Sequence, residues 1–249
     1  NRSPAPMAAV PTRGGNTRGT VMHTITDTTL HRLRLLHLVT PSLPLGSFAY
    51  SQGLEWAVEA SWVKHEAELL QWTENLLQTS LTHLDLPLLQ RLYKSCENRE
   101  LENFSYWSRY LTASRETREL REEETNRARA LAALLPQWQI PTEAAWLEVI
   151  KNNHLSGYAF VAHHWGISID QAAEGYLWSW LENMTLAGVK IIPLGQMAGQ
   201  RILQACIEQI PALVRTGLSL HDEEIGLSSP AQAIASSLHE TQYTRIYRS

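Results

Sequence analysis

Apolar residues recur every three to four positions along most of the chain, the period of an amphipathic helix, and the breaks fall at proline and glycine. Leu30, Leu33, Leu36 and Leu38 predict a short helix. The Pro41-Ser-Leu-Pro44-Leu-Gly46 stretch after it predicts a rigid turn, since proline fixes φ and lacks an N–H. From Ser51 the helical spacing resumes at Leu54, Ala57 and Val58. Leu69, Leu70, Thr73, Leu76, Leu77, Ser80, Leu81 and Leu84 then mark one face of a long core helix. Asp85 followed by Pro87 reads as an N-cap and a first-turn proline, starting a fresh helix with Leu88, Leu89, Leu92, Tyr93 and Cys96 inward.

Further helices follow on Leu101, Phe104, Trp107, Ser108 and Leu111, and on the charged run from Arg115 to Leu135, which Pro136 closes. Ser168 and Gln171 form a capping-box pattern ahead of Ala173, Tyr176, Leu177, Trp180, Leu181 and Met184. Gly195 to Leu203 with Ala205, Cys206 and Ile210 predicts another helix, whose Gly195-x-x-x-Gly199 spacing permits close backbone approach. Ser229-Pro230 opens a last one with Ile234, Ala235 and Leu238 inward. No alternating run with hairpin chemistry competes with these, so the fold class is all-α, a compact bundle of about ten helices. Residues 1–27 read as a disordered extension rich in Pro and Gly, and 28–249 as one helical domain that includes a C-terminal tail. Arg2, Arg13 and Arg18 give the extension a weak import flavour. Met22, standing just before the first periodic segment, makes an upstream extension the preferred reading.

Charge and cysteine content narrow the function. The net charge is −4 with cations scattered among acids, so the sequence shows no basic stripe for a nucleic-acid partner. Cys96 and Cys206 lie far apart on apolar faces and read as reduced core thiols. No apolar run approaches the roughly 20 residues of a membrane span.

Candidate chemistry is thin. There is no phosphate-binding Gly-rich loop ending in Lys-Ser or Lys-Thr, so the chain is not expected to hydrolyse a nucleotide. His65-Glu66 lacks the second histidine of a zinc-protease helix, because Leu69 stands in its place. No Glu-x-x-His pair exists for a di-iron bundle. His163 and His164 point about 100° apart on a helix, one toward the core edge and one toward solvent. His221 with Asp222, Glu223 and Glu224 reads as a solvated acidic loop. The expectation is therefore no catalytic residue, no metal ligand set and no cofactor of its own.

The charged run Arg115, Glu116, Arg118, Glu119, Arg121, Glu122 onward to Arg129 places Arg115 with Glu119, Arg118 with Glu122 and Glu123 with Arg127 one turn apart. That suits either an exposed salt-laced helix or an interface. The turn residues Pro41, Pro44, Gly46, Tyr50, Gln52, Gly53 and Glu55 read as a structural or interface turn. The tail residues Tyr243, Arg245, Tyr247 and Arg248 are of the types that carry binding energy at interfaces. A rival reading takes Trp146, Trp165, Trp178 and Trp180 as the walls of a haem or small-molecule pocket, although tryptophan at helical spacing is usually core. A third is a plain structural scaffold.

Taken together, several blocks resemble the UreF family of urease accessory proteins. They are Leu35-Leu-x-Leu with Pro41-Ser-Leu-Pro-Leu-Gly and Tyr50-Ser-Gln-Gly-Leu-Glu-Trp-Ala-Val-Glu-Ala; Asp85-Leu-Pro-Leu; Arg115-Glu-Thr-Arg-Glu-Leu-Arg-Glu-Glu-Glu; Ala187-Gly-Val-Lys-x-x-Pro-x-Gly-Gln; and His239-Glu-Thr-Gln-Tyr-Thr-Arg-Ile-Tyr-Arg-Ser. They occur in order from about Leu33 to Ser249. The resemblance implies an all-helical cytoplasmic homodimer, itself not an enzyme. With UreD (also called UreH) and the GTPase UreG it would mature apo-urease, letting nickel reach the active site in a GTP-dependent way. Nickel and GTP would be handled by the complex. By position, Tyr243, Arg245, Tyr247 and Arg248 would face UreD, and Lys190, Pro193, Gly195 and Gln196 would face UreG.

Overall fold

The computed structural model describes the backbone of residues 17–46 and 49–248 and the side chains of residues 28–46 and 49–248. Its helices are α1 (Thr17–Val39), α2 (Leu54–Glu59), α3 (Glu66–Leu76), α4 (Leu86–Glu97), α5 (Leu101–Ser114), α6 (Arg118–Leu134), α7 (Ala144–Ile150), α8 (His154–His164), α9 (Ile169–Ile191), α10 (Gln196–Ile207), α11 (Ile210–Ser219) and α12 (Pro230–His239). A π-helical segment joins α3 to α4 over Leu77–Asp85, and no strand occurs among the described residues. The backbone is already helical at Thr17, so the first helix starts ahead of the boundary expected at residue 27. The expected disorder of residues 1–16 lies outside the described residues.

Helices α4 and α9 form the centre. α4 packs on α5, α8 and α11, while α9 packs on α1, α2, α3, α10 and α11. Both have the apolar periodicity to do so: Leu88, Leu89 and Leu92 of α4 and Ala173, Leu177 and Leu181 of α9 have no solvent exposure. Ser168 Oγ accepts from the Gln171 N–H at the start of α9, half of the expected capping box. Both cysteines are buried free thiols, and burial pushes Cys96 up to about 12 and Cys206 up to about 11, which suits inert core packing.

Four details differ from the periodic reading. Leu30, Leu33 and Leu36 of α1 face solvent, and the helix leans on its neighbours through Leu35, Leu38 and Val39 instead. Asp85 is no N-cap: its backbone is helical, with no capping bond, inside a continuous helical rod from Glu66 to Glu97. The π register accounts for this. Leu86 N–H reaches the Leu81 carbonyl and Thr82 Oγ1 donates to the Leu77 carbonyl, both five residues back. Pro87 has no N–H to give the His83 carbonyl, and Gly226 N–H donates to that carbonyl at 3.0 Å. Of the Gly195-x-x-x-Gly199 pair, Gly199 lies against Val189 and Thr185, whereas Gly195 is an exposed N-cap with open space around it. In α12, Ile234 and Leu238 are exposed, and the inward face is Gln232, Ala235, Ser236 and His239. That polar face is the entry to the site.

Candidate functional site

The turn before α2 is shaped for close approach. Gln52 and Gly53 both have positive φ, and a Cβ on Gly53 would sit 2.7 Å from the Ser236 nitrogen of α12. This brings Glu55 under α12, where His239 has no solvent exposure and stands between two carboxylates. His239 Nδ1 lies 2.7 Å from Glu119 Oε2 and Nε2 lies 3.2 Å from Glu55 Oε2. Each ring nitrogen thus faces a carboxylate oxygen within hydrogen-bond distance. The same two carboxylates hold the C-terminal tail. Arg245 Nη1 donates to Glu119 Oε1 at 2.7 Å, Ile246 N–H to Glu55 Oε1 at 2.6 Å and Tyr247 N–H to Glu55 Oε2 at 2.9 Å. Arg248 N–H closes the strap on the Ala49 carbonyl at 2.7 Å.

Beside this lies a second buried polar group. Arg115 Nη2 bridges Asp85 Oδ2 at 2.9 Å and Glu124 Oε1 at 2.7 Å, and Tyr176 donates its hydroxyl to the same Asp85 oxygen. Near both, Gln52 donates to both oxygens of Glu123 and accepts from Trp180 Nε1 at 2.9 Å. Burial pushes the Asp85 and Glu123 carboxyls above their usual range, against the pull of Arg115 and Arg127 respectively. Burial works against the charged Arg115, yet Asp85 and Glu124 hold its guanidinium well above its ordinary value.

The charged helix therefore differs from its sequence reading. Arg115 precedes α6 and does not pair with Glu119; it turns inward to Asp85 and Glu124. Of the expected pairs, Arg118 with Glu122 is exposed at 3.8 Å and Glu123 with Arg127 is largely buried at 3.1 Å. Glu119, Glu123 and Glu124 all point inward, so one stripe of α6 is acidic and buried while Glu116, Arg118, Arg121 and Glu122 stay outside. Glu240 caps this helix from the end of α12, accepting from the Arg118 N–H at 2.8 Å, which suits a carboxylate at a helix N-terminus.

Burial also acts on His154, the first residue of α8. Its ring is held well below the usual histidine value by burial, with Arg127 adding to the effect. Below an unfolded-state value of about 6.5, the unfolded chain takes up a proton that the folded ring refuses, so stability falls as pH drops through that point. A His154→Phe variant should lose this component. The unfolding free energy from urea melts should decline less for the variant than for the parent between pH 7.5 and 5.5, by up to about 1.4 kcal/mol per pH unit below the unfolded-state value. Parallel declines would show that the ring titrates freely in the fold.

The remaining expected residues divide between rim and interior. Lys190 is exposed, and its Nζ sits 5.3 Å from the centroid of the Tyr247 ring, which is only 6% exposed. The two border a groove of about 420 Å³ with Tyr50, Leu186 and Gln196. Pro193, Gly195 and Gln196 are exposed next to it, as is Met197. Tyr243 is fully exposed. Pro41 is partly covered, while Pro44 and Gly46 are exposed at the outer edge of the turn. Lys190 and Tyr247, from segments expected to face different partners, thus meet at one groove, and Tyr247 of the tail serves as internal packing.

His239 is a residue of this site that the apolar periodicity of the sequence does not mark. The signal was the polar spacing Gln232, Ser236, His239 along α12, at helical period on a face that apolar residues would normally occupy. The candidate tryptophans Trp146, Trp165 and Trp180 take separate places. Trp146 borders a groove with Cys96 and His163, Trp165 packs between His37 and Trp138, and Trp180 bonds Gln52. His163 meets Tyr93 edge-on while His164 is exposed. Among the described residues no group of three His, Cys, Asp or Glu side chains is placed to hold a metal ion. No helix among them is long and apolar enough to cross a membrane.

Comparison with known proteins gives a consistent result. The UreF family model matches residues 63–207. A urease accessory protein UreF of Pseudomonas entomophila (strain L48) is 48% identical over 90% of this chain and 100% of its own. One from Alcanivorax borkumensis is 48% identical over 87% of this chain and 97% of its own. One from Escherichia coli O157:H7 is 42% identical over 88% and 97%.

Proposed function

The chain belongs to the UreF family of urease accessory proteins, and from that premise we propose that it is a non-catalytic adaptor in urease maturation. It works in the cytoplasm as a homodimer, joins UreD (UreH) to the GTPase UreG, and promotes GTP-dependent delivery of nickel to apo-urease by regulating hydrolysis in UreG. Nickel and GTP are cargo and fuel of the assembly.

The observation that carries this reading is the contact of Lys190 with Tyr247. It sets the face expected to meet UreG beside the tail expected to meet UreD, with exposed Leu186 on the same groove and exposed Met197 and Ile246 adjacent in sequence to its residues Gln196 and Tyr247. Exposed apolar side chains next to aromatic and cationic ones are what a docking face presents. The outward stripe of Leu30, Leu33 and Leu36 on α1 supports the homodimer in the same way.

The test is co-purification of tagged protein with UreD and UreG, with and without GTP and Mg²⁺. A chain ending at Thr241 would also lose the internal bonds of Arg245 to Arg248, so surface variants are cleaner probes. Tyr243→Ala should weaken UreD capture at least tenfold with unchanged melting, and Lys190→Ala should weaken UreG capture while sparing UreD. If neither substitution changes either partner, both surface assignments are wrong. Capture of UreG that ignores the nucleotide would leave a scaffold without GTPase regulation.

A further inference from the structure

The fold gathers cations that the sequence scatters. Arg109 from α5, Arg121 and Arg129 from α6 and Lys151 from the end of α7 line one open groove of about 710 Å³. Glu148 is the single carboxylate on its walls, so four cations against one acid leave a local charge of +3 in a protein whose net charge is −4. Glu148 is already held by Lys151 at 2.8 Å. Among the described residues no ion pair engages Arg109 or Arg129, and both are exposed. Arg121 is braced by donating to the Arg115 carbonyl. Thr125 stands on the wall between them, its hydroxyl fixed on the Arg121 carbonyl.

The acidic stripe of α6 explains the arrangement. Glu119, Glu123 and Glu124 turn inward, so the outward faces of the same turns are left to Arg121 and Arg129. Like charges gathered in a concave wall raise the local potential and attract an oppositely charged partner. No aromatic side chain lines the groove, so nothing there would stack a base and a nucleotide is poorly matched.

We propose that this groove, on the opposite side of α6 from the tail clamp, docks an acidic segment of a protein partner, with Arg109 and Arg129 as the principal contacts. The guanidinium fork favours carboxylates in pairs, and a segment carrying two or more Asp or Glu side chains can engage both arginines at once.

The probe is a fluorescein-labelled hexaglutamate peptide, titrated by fluorescence anisotropy onto the full chain at about 30 mM and about 150 mM salt. Inorganic tripolyphosphate is the competitor. Binding that weakens with salt, falls at least tenfold in an Arg109→Ala, Arg129→Ala double variant and is unchanged in Lys94→Ala is the expected result. Far-UV circular dichroism checks that the variants fold, and Arg109→Lys tests whether the fork itself matters. Peptide binding that survives the double substitution places the contact elsewhere and overturns the proposal. So does tripolyphosphate binding with no peptide binding, which would assign the groove to a phosphate-bearing ligand, and so does a failure to bind at either salt concentration.

Discussion

Arg115→Ala should cost about 3–5 kcal/mol of folding stability, the range for removing one partner of a buried charge group. The Arg115 side chain is the shared counter-charge of Asp85 and Glu124, whose side chains retain only 3% and 10% of their exposure. Without it two carboxylates face each other in the interior, and Tyr176 can satisfy only one oxygen of Asp85. Arg115→Lys should recover a fraction of the loss, because an ammonium cannot reproduce the guanidinium's simultaneous bonds to both acids. Urea denaturation at pH 7 measures it. A loss below about 1 kcal/mol would mean that the carboxyls take up protons and tolerate the interior as neutral groups.

Glu55→Ala should be nearly as damaging, but its effect is concentrated at one end of the chain. Glu55 accepts from the Ile246 and Tyr247 amides and faces His239. Bonds to a charged acceptor contribute about 1.5–3 kcal/mol each, so the loss should reach roughly 3 kcal/mol or more. Amide hydrogen exchange locates it: the amides of Ile246 and Tyr247 should lose protection while those of α4 and α9 keep theirs. Since Tyr247 lies under Lys190, capture of UreG should fall as well. Tail amides that stay protected in this variant would show that Arg245 and Arg248 hold the strap unaided.

How much of this was readable in the sequence depends on whether a residue's partner is local. The core face of α9 follows from spacing alone, because Tyr176, Leu177, Trp180 and Leu181 bury themselves as any amphipathic stripe would. The turn residues Gln52 and Glu55 stand out in the sequence, but their partners are more than seventy positions away, as Gln52 with Glu123 illustrates, and Arg115 of the charged run reaches back thirty positions to Asp85. Periodicity carries no information about such pairs. It also misdirects where a buried face is polar: α12 hides Ser236 and His239 and exposes Ile234 and Leu238. Asp85 resembled a cap because its sequence neighbourhood is that of a helix start, and only the Arg115 guanidinium waiting beside it reveals why an acid is there. The cationic groove was illegible for a related reason, since its four side chains come from three helices separated by up to forty-two positions, Arg109 to Lys151.

The π segment between α3 and α4 carries a consequence for how this chain can change length. A helix in which each carbonyl waits for the fifth N–H holds a residue more than an α-helix of equal reach. The stretch from Leu77 to Asp85 is thus a place where one position can be removed and the rod can close into ordinary α register, leaving Leu69 and Leu92 on the faces they now occupy. The same deletion within α3 or α4 would swing everything downstream by about 100° and carry leucines out of the core. Length variation in this rod should therefore be confined to those nine positions.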